Sequence, residues 1–168
     1  VHRAAPIALA AYIATIPTAN WAVQHYGMVP VGLGYLAPAG VYLVGAALVL
    51  RDLARESAGR WPVAAAITVG AALSWWLATP ALALASCAAF ALSEALDMAV
   101  YEPLRRRGLL VAMAASNAVG LAVDSLLFLW LAFGSLQFLP GQLLGKTWMT
   151  LTAIATISLW RRTRTATA

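Results

Sequence analysis

The chain has 168 residues, 62% of them hydrophobic and only 10% charged, with a formal net charge of +5. A soluble domain carries about 25% charged residues, so this composition cannot clothe a water-facing surface and marks an integral membrane protein built as one helical domain. The single cysteine, Cys87, excludes an internal disulfide or a cysteine-rich metal site, and two histidines, His2 and His25, give little basis for a metal centre or a catalytic relay.

Apolar runs divided by charge clusters and Pro/Gly breaks predict an all-α bundle of six transmembrane helices, at about 4–23, 35–53, 61–77, 81–101, 109–133 and 141–160. Pro17 should kink the first span near its far end. Turn formers from Gly27 to Gly34 lead into the second span, and Arg51, Asp52, Arg55, Glu56 and Arg60 read as the polar loop that follows it. Thr79-Pro80 makes a tight turn from the third span into the fourth. Arg105-Arg106-Arg107 separates the fourth from the fifth, Gly134 to Pro140 turns into the sixth, and a basic tail ends the sequence.

Six spans place Arg3, the Arg51/Arg55/Arg60 group, Arg105 to Arg107 and Arg161/Arg162/Arg164 on one side, while the three opposite connections contain no Lys or Arg. The positive-inside rule then makes both termini cytoplasmic in a multi-pass protein of a bacterial cytoplasmic (inner) membrane. Topology and lipid headgroups account for these basic clusters without nucleic acid. Trp61, Tyr101 and Trp160, near expected span ends, fit an interfacial belt.

Polar residues within the spans carry the functional signal. Asn117, Gly120, Asp124 and Phe128 are spaced by three, four and four, so one stripe of the fifth span holds them all. A carboxylate in the bilayer centre costs roughly 2.5–3.5 kcal/mol even on the mildest scale, so Asp124 must face a partner, a cavity or a ligand. Lys146, entering from the other side, reaches about the depth of Asp124, roughly 22 Å from the cytoplasmic end of the fifth span. The two can form a structural ion pair or take part in binding. Glu94, about 12 Å in, shares a level with Asn117 and has no basic residue within a turn or two of its own helix. Asp97 follows at i+3 on the same face, either answering Arg105 or Arg106 at the interface or facing the site. Asn20 follows the Pro17 kink. Trp75-Trp76 suits a membrane belt for one ring and a stacking platform for the other, and Tyr42, Gln142 and Trp148 rank lower. Gly40, Gly45, Ala64 to Ala66 and the Gly141 to Gly145 pair read as close helix packing. The candidate substrate-binding residues are therefore Asn20, Trp75, Trp76, Glu94, Asp97, Asn117, Asp124 and Lys146.

The sequence has no nucleotide-binding loop, catalytic serine arrangement or metal motif, so a transporter without a cofactor is expected rather than an enzyme. Ala115-Ser116-x-x-x-Gly120-x-x-x-Asp124-Ser125-x-x-Phe128-x-x-x-Ala132-Phe133 resembles the signature of the VUT (vitamin uptake transporter) family, the queuosine-precursor transporters. Leu96-Asp97-x-x-Val100-Tyr101-x-x-Leu104-Arg105 is similar to that family's fourth-span ending, and Lys146 and Asn20 also stand where it places such residues. The resemblance implies six spans and import of a 7-deazapurine base, such as 7-cyano-7-deazaguanine or 7-aminomethyl-7-deazaguanine. The expected partners are this purine-like substrate and the lipid bilayer, with room for a homodimer. Two positions depart from the pattern: the second span has Gly45-Ala46 where relatives often carry an acid, and Gln142 stands where some have an acid four residues before the lysine. The alternative reading is the substrate-binding subunit of an energy-coupling-factor vitamin importer, which would need a separate ATPase module.

Overall fold

The computed structural model describes residues 4–166. It contains the helices α1 (Ala4–Tyr26), α2 (Val41–Ala58), α3 (Arg60–Leu77), α4 (Pro80–Arg105), α5 (Leu109–Phe133) and α6 (Leu139–Ala166). Between α1 and α2 lie two short strands, β1 (Met28–Gly32) and β2 (Tyr35–Pro38). Arg3, the surroundings of Gly45 and the side chains of Asp52, Arg55, Glu56, Arg60, Arg105, Trp160, Arg161, Arg162 and Arg164 lie outside the described residues.

Local chemistry explains most of the boundaries. Thr79 caps α4, its hydroxyl oxygen accepting from the Leu82 N–H at 3.3 Å, and Pro80 opens the helix where its missing N–H costs nothing. Helix α5 ends on Gly134 at φ +63°, whose N–H donates to the Trp130 carbonyl at 2.9 Å. Helix α1 runs on through Pro17 to Tyr26. Helix α2 differs most from expectation: it starts at Val41 rather than near Tyr35 and continues through Arg51 to Ala58. Arg51, Asp52, Arg55 and Glu56 are helical, not a loop, because the run from Leu50 to Ala58 contains no glycine or proline. Gly59, at φ +89°, ends it.

The hairpin corrects the all-α expectation. Strands β1 and β2 pair antiparallel, Met28 opposite Pro38 and Val29 opposite Ala37, with an irregularity between Pro30 and Gly32. Pro30 has no N–H for the ladder, a loss that an isolated two-stranded ribbon tolerates along its edge. The ribbon is fixed by what it packs on. Val31, Ala37 and Val41 form a buried cluster against Leu144, the Tyr42 hydroxyl donates to the Pro30 carbonyl, and Gly141 lies against the Leu36 backbone. Gly145 approaches Val41 and Gly40 approaches the Ala19 carbonyl so closely that an added Cβ would stand 2.8 Å from either neighbour. Of the expected small-residue contacts, these glycines and the buried Ala66 pack inward, whereas Ala64 and Ala65 are exposed.

The helices fall into two bodies. Helix α5 packs chiefly along α4, which also meets α3 at its connected end, while α1 lies on α2 and α3, and α6 on α2 and the hairpin. Contacts of α5 with α6 and of α1 with α4 are sparse, so a space opens between the bodies. The outer surface carries large apolar side chains, among them Ile7, Trp61, Leu84, Trp130 and Leu151. Among the described residues, three segments, Pro6–Tyr26, Pro80–Leu104 and Ala115–Phe133, are long and apolar enough to cross a membrane, and Trp61–Leu77 is a shorter apolar helix. This is a mostly helical fold of membrane type.

Candidate functional site

The space between the two bodies is a cavity of about 610 Å³, within the range of small-molecule sites. Each helix brings one stripe to it. Helix α4 supplies Ser86, Phe90, Glu94 and Asp97; α5 supplies Asn117, Gly120, Asp124 and Phe128; α6 supplies Gln142, Lys146 and Thr150. The spacings of three and four keep each set on one helical face. Six of the eight sequence candidates therefore meet in one cavity: Asn20, Glu94, Asp97, Asn117, Asp124 and Lys146.

Lys146 is only 1% exposed. Its ammonium donates to the Asp124 carboxylate and, at 2.9 Å, to Ser125 Oγ, which in turn donates to the Leu121 carbonyl at 2.7 Å. The pair expected from matching depths thus exists. Its hydrogen bonds offset the cost of taking both charges out of water.

Toward the end away from the hairpin, Arg51 of α2 donates to the Glu94 carboxylate of α4. The guanidinium also lies 5.9 Å from the centre of the Phe90 ring. No basic residue lies within a turn or two of Glu94 along α4, as expected, and the cation comes from elsewhere. Its partner comes from another helix, and reading Arg51 as a loop residue concealed it. Asp97, one turn on, is half-buried and makes no hydrogen bond or ion pair among the described residues. Gly120 faces it: a Cβ there would lie 3.5 Å from Asp97 Oδ1, an ordinary contact.

At the hairpin end, Ser86 Oγ donates to Asn20 Oδ1 at 2.7 Å, which ties α4 to α1. Asn20 and Gln142 are each 3% exposed. Asn20 Nδ2, Gln142 Oε1 and Thr150 Oγ1 have no hydrogen-bond partner among the described residues, although all three residues line the cavity. Gln142, ranked low from sequence, is a full member of the site, and its spacing of four from Lys146, with Thr150 four further on, was the available signal.

Trp75 and Trp76 do not join this cavity. They are 47% and 85% exposed and flank a separate shallow groove with Ala83 and Cys87. Helix α3 turns Ile67, Ala71 and the fully buried Ser74 inward, which leaves positions 75 and 76 about 100° and 200° around the helix, on the outside. Trp148 is likewise exposed, and Tyr42 serves the hairpin. Trp76→Leu is expected to leave ligand affinity within about twofold of wild type in an equilibrium binding titration, because a ring that never reaches the cavity contributes no stacking.

A mostly helical molecule with an apolar exterior and a largely apolar cavity into which a few charged and amide side chains converge defines a solute-handling membrane protein. The family model described as "Putative vitamin uptake transporter" matches residues 74–161, just over half of the chain. The chain belongs to this transporter family. The matched stretch supplies Glu94, Asp97, Asn117, Asp124, Gln142 and Lys146. No curated protein and no solved structure matches the chain.

Proposed function

We propose that this protein imports a 7-deazaguanine base, 7-cyano-7-deazaguanine or its 7-aminomethyl relative, across the bacterial cytoplasmic membrane. The observation that carries this reading is the cavity whose buried amides, Asn20 and Gln142, leave hydrogen-bonding atoms unused, within a transporter family. A flat base with several N–H and carbonyl groups can satisfy such atoms, and Glu94, oriented by Arg51, offers a carboxylate to the remaining donors. The candidate set for the base is Asn20, Glu94, Asp97, Asn117, Asp124, Gln142 and Lys146.

In this reading six spans cross the membrane with both termini cytoplasmic, as the one-sided distribution of Lys and Arg favours. Three polar links, Asn20–Ser86, Asp124–Lys146 and Arg51–Glu94, join the α4–α5 body to the rest around the cavity. Rocking of that body would open links at one end while those at the other hold, passing the base inward without exposing both ends at once.

The test is thermal stabilisation of the detergent-purified protein by 7-cyano-7-deazaguanine, with guanine as competitor. A ligand at a hundredfold excess over Kd adds about 2.7 kcal/mol, an expected rise of about 5 °C or more. Glu94→Gln is expected to reduce the rise to near zero, since an amide cannot accept both donors of the base edge. Uptake of the base by cells that lack any added ATPase module is the companion result; strict dependence on such a module would show that this chain is a binding subunit and overturn the carrier reading.

A further inference from the structure

We infer that the hairpin end of the cavity is a reader of a lactam edge, an N–H donor beside a carbonyl acceptor, with Asn20 donating to the carbonyl and Gln142 accepting from the N–H. The inference deepens the proposed import of a deazaguanine base and rests on it for the identity of the transported compound, but its chemistry is tested separately.

Two observations carry it. First, both side chains are 3% exposed, and each leaves one polar atom without a partner, a donor on Asn20 and an acceptor on Gln142. A buried polar atom left unpaired costs about 1–3 kcal/mol, so a fold that keeps two of them around one cavity is shaped for a ligand that supplies the complements. Those complements are of opposite kind, one acceptor and one donor. Ser86 holds the Asn20 oxygen, which presents the Nδ2 group as the free one.

Second, the backbone around the two side chains is fixed. Gly40 sits on the carbonyl of Ala19, the neighbour of Asn20, and Gly141, the neighbour of Gln142, sits on the carbonyl of Leu36. The buried segment from Pro38 to Val41 therefore packs beside both, with Pro38 and Val41 lining the cavity. The readers are thus mounted on a packed frame and not on a mobile loop, as a discriminating site requires. Hydrogen-bonding sites reject analogues that lack the matching group far better than apolar pockets do, because the buried atoms are then left unpaired.

The experiment pairs changes in the ligand with changes in the protein. Binding to the purified full chain is titrated with 7-deazaguanine, with its 6-O-methyl ether, which lacks the N–H but keeps the oxygen, and with its 6-deoxo analogue, which lacks both groups because the ring becomes fully aromatic. Wild type is expected to bind about tenfold more weakly at each step, from parent to ether and from ether to deoxo, the equivalent of about 1.4 kcal/mol per lost hydrogen bond. Asn20→Ala is expected to erase the ether-to-deoxo ratio and Gln142→Met the parent-to-ether ratio, each leaving the other ratio in place. A purely structural loss weakens all three ligands alike, and melting temperatures without ligand identify any variant that fails to fold; Asn20→Ser and Gln142→Leu then replace it. Unchanged ratios in both variants overturn the inference and show that water alone satisfies the two amides. If no deazaguanine binds, the same ratios are measured on hypoxanthine and lumazine: binding that depends on Asn20 and Gln142 supports the lactam reader while overturning the deazaguanine substrate, and no binding overturns both.

Discussion

Lys146→Met is expected to abolish transport and to lower the melting temperature by about 10 °C. The ammonium is buried and holds both the Asp124 carboxylate and the Ser125 hydroxyl. Removing one member of a buried pair costs about 3–5 kcal/mol because the other charge is left without compensation, and in a chain of this size each kcal/mol is about 2–4 °C. Asp124 keeps some contact with the cavity, so water or protonation relieves part of the penalty and the lower end of that range applies. Adding Asp124→Asn removes the stranded charge, and the double variant is expected to recover most of the melting temperature. Its transport is expected to stay absent, because Asp124–Lys146 joins the two helical bodies inside the cavity and the neutral pair cannot break and reform as an ionic link. Uptake of labelled substrate beside thermal melts separates the two roles: a double variant that transports normally would make the pair structural alone.

The second large effect is expected from a single methyl group. In Gly141→Ala the new Cβ would fall onto the Leu36 carbonyl oxygen, with the carbonyl carbon and Leu36 N also in its way. All three are backbone atoms of β2, so no side-chain rotation gives relief. Overpacking typically costs 1–3 kcal/mol and occasionally more; here either α6 or the hairpin must move. Pro38, at the end of the displaced strand, lines the cavity, so the variant should lose ligand binding as well as stability. Gly120→Ala is the control. Its Cβ would meet Asp97 at 3.5 Å, a normal contact, and alanine favours the helix by about 0.8–1.0 kcal/mol over glycine. A melt that ranks Gly120→Ala below Gly141→Ala would show that the hairpin is not seated on α6 as described.

Residue type and spacing were enough to find most of the site. Asn117, Gly120 and Asp124 fall on one stripe at any tilt or packing of their helix, and an acid at that depth cannot face lipid without a large cost. Lys146 follows by the same reasoning, since rise per residue fixes its depth whatever the arrangement of neighbours. The helix α5, Leu109–Phe133, has the expected bounds because a charge cluster precedes it and Gly134 ends it. By contrast, the hairpin is not legible in the sequence: Gly27 to Gly34, with three glycines and one proline in eight residues, reads as turn formers, and Tyr35 to Pro38 reads as the start of the second span. Packing against Leu144 and Gly141 makes it a ribbon.

What the sequence determined alone is therefore what depends on one helix at a time: membrane character and the candidate stripes. Composition and periodicity are properties of a segment and survive any change of neighbours. The tertiary structure decided everything that needs two helices. It gave Glu94 an arginine from α2, drew Gln142 into the cavity that Asn20 also lines, and turned Trp75 and Trp76 outward. Those outcomes rest on the rotation of each helix about its axis, which is set by close contacts such as Gly40 on Ala19 and Gly70 on Ile16. A rotation of about 100° per residue separates inside from outside, and the identity of a single segment does not fix it.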